Sequence, residues 1–336
     1  MLFSIIIPMY NLENYIQKTL ESILQNDLSD CELLLLDDGS TDKTVEMAEA
    51  LLGKKCLCYY AIIKKENTGV SDTRNQGIKL AKGKYILFCD GDDFFEPDLI
   101  STIRVEVENN ADMAAWPFFT LQGTEKKLSQ KDGESRIYSK GQMMKMHLLE
   151  GYKMRLGSFV IKRELLVNNK VYFTRECTFA EDMEFIMKCI LEAGTIHWIQ
   201  RPLFCYVKRE GSLVNSYNIR RFEAPRAIER VCQYVQKREI DLEESLKEYM
   251  KNGLYVLHYI YSLEGCLLNL HSQKEGRQLY SAIQDDYIDV EKNAKEKLKL
   301  MLRRPIGISD NRLKLLRAGT CFYICMRLFV KRIKGS

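Results

Sequence analysis

Short apolar runs alternate with stretches of helical spacing through the first 120 residues. Ser4-Ile-Ile-Ile-Pro8 is a β-branched run that predicts a buried strand, closed by a proline that has no N–H to give a sheet. Leu12, Tyr15, Ile16, Leu20, Ile23 and Leu24 then recur three and four apart, the spacing of one helix face. Residues 32–36 read as a second strand, 42–52 as a helix with Ser40 or Thr41 as N-cap, and 56–63 as a third strand. A helix over 71–81, a strand over 84–89, a helix over 97–109 and a strand over 113–119 follow. Residues 122–139 are polar and read as a surface excursion. Beyond them the pattern gives strand into helix over 159–166, a helix over 181–191, short strands over 196–199 and 203–207, and only helices after about 216.

Strand–helix alternation with short polar links predicts an open, mostly parallel α/β sheet covered on both faces. Ligands of such sheets sit beyond the carboxyl ends of the strands. Two of the first four strands end in acid-rich turns, Asp37-Asp38-Gly39-Ser40 and Asp90-Gly91-Asp92-Asp93. Composition narrows the class further. The chain has 336 residues, 46% of them hydrophobic, and a net charge of +4, too balanced to mark a nucleic-acid partner. Its 11 cysteines show no paired CxxC spacing and its four histidines are scattered, which predicts reduced thiols and neither structural zinc nor a disulfide framework. Cys56 and Cys58 would share one face of their strand. The N-terminus opens on a strand rather than a signal peptide, and no apolar run is long enough to span a membrane.

Each acid-rich turn suits a particular chemistry. Asp90 and Asp92, with Gly91 between them, offer carboxylates to Mg²⁺ or Mn²⁺, which needs only one or two of them when diphosphate oxygens complete the shell. The plain alternative is a turn capping the next helix. Asp38 is an acceptor able to take the imide N–H of uracil, or again a strand-to-helix link. Arg74, in Asn67-Thr-Gly-Val-Ser-Asp-Thr-Arg-Asn-Gln-Gly77, can pair bidentately with a phosphate, or simply sit on a helix surface. Glu181-Asp182 opens a helix, where acids are favoured by the dipole, and either could act as general base toward a hydroxyl.

Taken in order, these pieces resemble the family-2 glycosyltransferases of the GT-A fold. The matching segments are Ser4 to Asn11, Asp37 to Asp42, Asn67 to Gly77, Gly83 to Asp93 with Pro97, Ala180 to Phe185, and Pro202 to Tyr206 leading to Arg209-Glu-Gly-Ser212. The resemblance implies a GT-A domain over 1–216; the helical pattern beyond it gives a helical extension over 217–302, and the charge a basic tail over 303–336. It implies that Pro8, Tyr10, Asp38, Arg74, Asp90, Gly91, Asp92 and Arg209 bind the nucleotide-sugar donor. Tyr10 would stack on the base and Asp38 would bind it; Arg74 and Arg209 would face the diphosphate. Asp92 and Asp90 would hold the metal, Mn²⁺ or Mg²⁺. Asp182 matches the catalytic base, with Glu181 beside it. The chemistry implied is one in-line displacement with inversion. Some members carry a histidine near Arg209 as a further metal ligand; an arginine cannot ligate, and would stabilise the leaving diphosphate instead. The stretch Arg155-Leu-Gly-Ser158 departs from the bulkier or amide residues common there on the acceptor side.

The tail changes the picture of partners. From Arg303 to Ser336 there are nine Lys/Arg and one acid, about +8, leaving the rest of the chain at about −4. Apolar and aromatic residues 321–330 lie between basic clusters, which suits a helix in the headgroup region of an anionic leaflet. The alternative is a helix docked on the protein. The expectation is a cytoplasmic protein, peripheral on the inner face of the cell membrane, with a glycan or lipid-linked acceptor and no nucleic acid. The helices of 217–302 would cover the sheet, form a homodimer face or shape the acceptor cleft. Two other classes compete with the transferase reading. A catalytically silent nucleotide-sugar or glycan binder would lack Asp90, Asp92 or Asp182. A nucleotidyltransferase would carry a Gly-rich basic loop where Pro8-Met-Tyr10-Asn11 stands.

Overall fold

The computed structural model describes residues 1–130, 134–175, 177–208, 217–270 and 272–303. β1 (Phe3–Met9) and β2 (Cys31–Asp37) are buried at every position, as continuous apolar runs covered on both faces should be. β1 pairs in parallel with β2 and with β4 (Tyr85–Phe88), and β2 with β3 (Tyr59–Lys64). The crossovers are α1 (Ile16–Leu24), α2 (Thr44–Lys55) and α3 (Val70–Leu80). After them come β5 (Phe94–Phe95), α4 (Leu99–Glu108), β6 (Met113–Ala115), β7 (Phe118–Gln122), β8 (Glu125–Leu128), β9 (Arg136–Tyr138) and α5 (Lys140–Leu149). Then follow β10 (Phe159–Lys162), α6 (Arg163–Asn168), α7 (Glu181–Glu192), β11 (Ile196–Trp198) and β12 (Phe204–Val207).

Eight strands form one mixed, mostly parallel sheet in the order β3-β2-β1-β4-β10-β6-β11-β9, and four form a smaller sheet in the order β5-β12-β7-β8. β10 runs antiparallel between β4 and β6, so the parallel half of the large sheet ends at β4. These elements form one compact unit of residues 1–175 and 182–208. Residues 177–181 and the described residues from 217 onward form a second. The second unit is helical: α8 (Glu223–Lys237), α9 (Glu244–Glu248), α10 (Tyr255–Leu268), α11 (Gln273–Asp285) and α12 (Ile288–Arg303). Its core gathers Phe222 against Tyr259 and Tyr287, with ring centroids 5.6 and 5.4 Å apart. Among the described residues, no helix is long and apolar enough to cross a membrane.

Four local differences from the sequence reading have physical causes. β1 continues through Pro8 to Met9, because β4 stops pairing with it at Phe88 and leaves no carbonyl waiting for the missing N–H. The single strand expected over 113–119 is two strands in different sheets, broken at Trp116-Pro117. The polar stretch 122–139 is not all excursion: β8 pairs back on β7 and β9 edges the large sheet. Finally, neither Ser40 nor Thr41 caps α2. Asp42 Oδ1 accepts the Thr44 N–H at 3.0 Å, while Ser40 Oγ accepts from the Asn11 N–H and the Thr41 N–H donates to Asn11 Oδ1. Those hydroxyl residues stitch the loop after β2 to the loop after β1.

Candidate active site

The carboxyl ends of β1, β2 and β4 open between the first and third of these strands, and the acidic turns lie there. The loop after β1 is tied down by Asn11, whose φ of 51° is in the left-handed region. Leu12 and Glu13 donate their amides to Thr44 Oγ1 and Asp42 Oδ2. Tyr10 is left 50% exposed at the head of this loop, an aromatic face held by fixed backbone on both sides.

Asp38 is buried and its carboxylate is already engaged. Oδ1 accepts the Thr68 N–H at 2.9 Å and the Lys65 ammonium, and Oδ2 accepts the Gly69 N–H at 2.9 Å. Lys65 also donates to Thr68 Oγ1 at 2.6 Å. Asp38 therefore holds the loop 65–69, which the motif reading did not foresee. Gly69 sits at φ 91°, a conformation open to glycine at no steric cost, just before α3.

Arg74 is buried on α3 and donates to Asp90 Oδ1 at 2.7 Å, with its guanidinium 5.3 Å from the Phe173 ring. The surface-arginine alternative fails on this burial. Asn75 beside it exchanges two hydrogen bonds of 2.8 Å with the Phe173 backbone, fixing segment 171–175 against α3. Phe173 stacks on Phe185 of α7 at 3.9 Å, and Phe88 at the end of β4 meets both rings edge-on at 5.6 Å. This aromatic cluster joins the end of β4 to α7, and so brings Asp90 and Asp182 to one region.

The four residues after Cys89 have different duties. Gly91 is required by packing: a Cβ there would lie 2.6 Å from Leu12 Cδ1 and 3.3 Å from the Pro8 carbonyl oxygen. Pro8 thus walls the turn. Asp92 is partly exposed beside it. Asp93 is buried and accepts the Val207 N–H at 2.8 Å, anchoring β12 to the end of β4. Burial, with the charges of Asp92 and Asp90, raises its carboxyl well above the usual range. Asp90 and Asp92, hard oxygen donors on a tight turn, suit Mg²⁺ or Mn²⁺ with diphosphate oxygens completing the shell. Among the described residues, no three His, Cys, Asp or Glu side chains converge on a metal position.

Asp182 follows Ala180, held at φ 66°, and Glu181, the first residue of α7. Its Oδ1 accepts the Met183 N–H at 2.7 Å. Oδ2 lies 3.9 Å from an Arg155 amino group. The Arg155 guanidinium carbon sits 4.3 Å from the Tyr206 ring centroid. Burial raises the Tyr206 hydroxyl pKa; the Arg155 charge opposes that rise, and the charges of Asp93, Asp92 and Asp182 add to it. The structure thus gathers Asp90, Gly91, Asp92, Asp182, Arg74 and Pro8 about the β1/β4 opening, with Tyr10 and Asp38 on the side of β2. Arg209 lies outside the described residues. Lys65 is a site residue that motif reading passed over; Tyr206, Asp93 and Arg155 stood inside quoted segments without a role.

Comparison with known proteins agrees with this geometry. Residues 4–166 match the family model Glycosyl transferase family 2. The glycosyltransferase EpsJ of Bacillus subtilis is 31% identical over 218 residues, 63% of this chain and 62% of EpsJ. The poly(ribitol-phosphate) β-N-acetylglucosaminyltransferase TarS of Staphylococcus aureus is 27% identical over 270 residues, 78% of this chain and 45% of TarS. The chain thus spans less than two thirds of either relative. The crystal structure of S. aureus TarS 1-349 in complex with UDP-GlcNAc superposes with a TM-score of 0.74 at 22% identity, covering 99% of this chain and 92% of that one. Residues 4–166 therefore form a glycosyl transferase family 2 domain on a GT-A architecture, and the chain is related to bacterial exopolysaccharide and teichoic acid glycosyltransferases.

Proposed function

We propose that the chain is an inverting transferase that moves a hexose or N-acetylhexosamine from a UDP-sugar to a hydroxyl of a glycan or lipid-linked acceptor in cell-surface polysaccharide synthesis. The observation that supports this reading is the aromatic cluster of Phe88, Phe173 and Phe185, which packs the end of β4, followed by Asp90 and Asp92, against α7, which carries Asp182. The complex of TarS with UDP-GlcNAc supports a UDP donor.

In this reading Tyr10 stacks on the base. Asp38 Oδ2 has one lone pair beyond the Gly69 N–H, and it accepts the imide N–H of uracil. Mg²⁺ or Mn²⁺ held by Asp92 and Asp90 supplies Lewis-acid neutralisation of the leaving diphosphate when bound. Arg74 keeps Asp90 oriented from beneath, and Arg209 faces the diphosphate. Asp182, flanked by Glu181, takes the proton of the acceptor hydroxyl as its oxygen attacks the anomeric carbon. The nucleoside diphosphate departs from the opposite face, which inverts the configuration with no covalent intermediate. The basic tail 303–336, of which all but residue 303 lies outside the described residues, is assigned to an anionic leaflet at the inner face of the membrane, where a lipid-linked acceptor resides.

Calorimetric titration of UDP and of GDP, with Mn²⁺ and then with EDTA, tests the donor half of the proposal. UDP binding that requires Mn²⁺, with GDP weak, is expected. Binding of neither nucleotide would overturn it in favour of a protein that keeps the fold without the donor site.

A further inference from the structure

Arg155 reaches Asp182 from a turn that is built rather than merely exposed. Ser158 closes that turn: its Oγ accepts the Arg155 N–H at 2.7 Å and donates back to the Arg155 carbonyl at 2.9 Å. Gly157 presses it onto β12, since a Cβ at 157 would lie 2.2–2.6 Å from the ring of Phe204. Two residues along the same strand, Tyr206 supplies the face on which the guanidinium rests at 4.3 Å. The strand is fixed in turn by Asp93, through the Val207 N–H. The cation is therefore held at its backbone, at its neighbour Gly157 and at its planar head.

Its position matters because of how Asp182 is pinned. Oδ1 is taken by the first-turn amide of Met183, so Oδ2 is the oxygen left to meet an acceptor. Arg155 stands 3.9 Å from Oδ2, too long for a hydrogen bond and within reach as an ion pair. The two groups are 39% and 34% exposed, so solvent screens but does not remove the attraction. Arg155 is the cation and Asp93, Asp92 and Asp182 the acids whose charges meet at Tyr206, so removing Arg155 leaves Asp182 among like charges.

We propose that Arg155 is a positioning residue that acts through Asp182, holding the base carboxylate turned so that Oδ2 faces the acceptor hydroxyl. The inference rests on the reading of Asp182 as base. The test uses the full chain and four variants: Arg155→Gln, Arg155→Lys, Asp182→Asn and the double Arg155→Gln/Asp182→Asn. UDP release from UDP-glucose, UDP-galactose and their N-acetyl forms is followed with Mn²⁺, with water or an octyl glycoside as acceptor, alongside UDP affinity and melting temperature. For Arg155→Gln, kcat should fall about 10- to 100-fold, the scale of a misplaced catalytic group, with UDP affinity within about two-fold of wild type. Lysine should restore most of the rate. In the Asp182→Asn background, Arg155→Gln should cost almost nothing more, because its route is already cut.

A loss that appears in UDP affinity would make Arg155 a donor contact and overturn the proposal. So would an unchanged kcat for Arg155→Gln, or the same loss for Lys and Gln together with a lowered melting temperature. If Asp182→Asn itself keeps full turnover, the reading of the base fails and this inference falls with it. If Asp182→Asn is dead while Arg155→Gln is unimpaired, the inference alone fails.

Discussion

Gly157→Ala should be one of the most damaging single-atom additions in the sheet unit. Gly157 does not have a positive φ, so alanine suits its backbone and the effect is purely steric. The added methyl would stand 2.2, 2.5 and 2.6 Å from three carbons of the Phe204 ring. That ring is buried in β12 between β5 and β7, and its neighbour Phe118 is 6.4 Å away, centroid to centroid, so it has nowhere cheap to turn. Overpacking of this kind costs about 2–3 kcal/mol. For a unit of this size that lowers the melting temperature by roughly 5–10 °C. The two tryptophans, Trp116 and Trp198, are both buried in this unit, so their fluorescence reports its melting apart from the helical unit. Phe204→Leu relieves the clash while opening a small cavity of its own. The double variant should then be more stable than the sum of the single losses predicts, by about 1 kcal/mol or more. A Gly157→Ala melt within about 1 °C of wild type, or strictly additive losses, would refute the steric argument.

Two further outcomes concern the helical unit and the tail. Burial takes His258 from its ordinary value down to about 4. Its folded pKa is depressed, so below about pH 6.5 the unfolded chain binds a proton that the folded chain refuses, and stability falls as pH drops from there toward 4. Urea titrations should show a loss of about 2 kcal/mol between pH 7.5 and 5, much reduced in His258→Gln; equal slopes in the two proteins would contradict the assignment. Deleting residues 312–336 should cut co-sedimentation with vesicles containing anionic lipid at least several-fold, and unchanged sedimentation would return the tail to a docking role.

How much of this was legible beforehand follows from what holds each element. The parallel strands β1 to β4 are continuous apolar runs with polar turns, so their order and the carboxyl-end position of the acidic loops could be read directly. The four-stranded sheet could not, because β5 has two residues and exists only by pairing with distant β12, while β8 is polar and exists only by folding back on β7. The same limit applies to the site. Asp90, Asp92 and Asp182 announce themselves as acids at strand and helix ends. That Asp93 belongs to β12, or that Asp38 is occupied by Lys65, Thr68 and Gly69, depends on contacts between residues 27 to 114 positions apart. Arg155 stood in a stretch marked only as a departure on the acceptor side; the turn of Ser158 and the Tyr206 ring are what bring it to Asp182.

The most direct test of the account compares Asp182→Asn with wild type in sugar transfer and in UDP binding. Asparagine keeps an oxygen for the Met183 N–H and removes only the basicity. Transfer should fall about 10²- to 10⁴-fold while metal-dependent UDP affinity stays within about two-fold. Transfer near the wild-type rate would show that Asp182 is not the base and that the catalytic arrangement assigned to α7 and β4 is wrong.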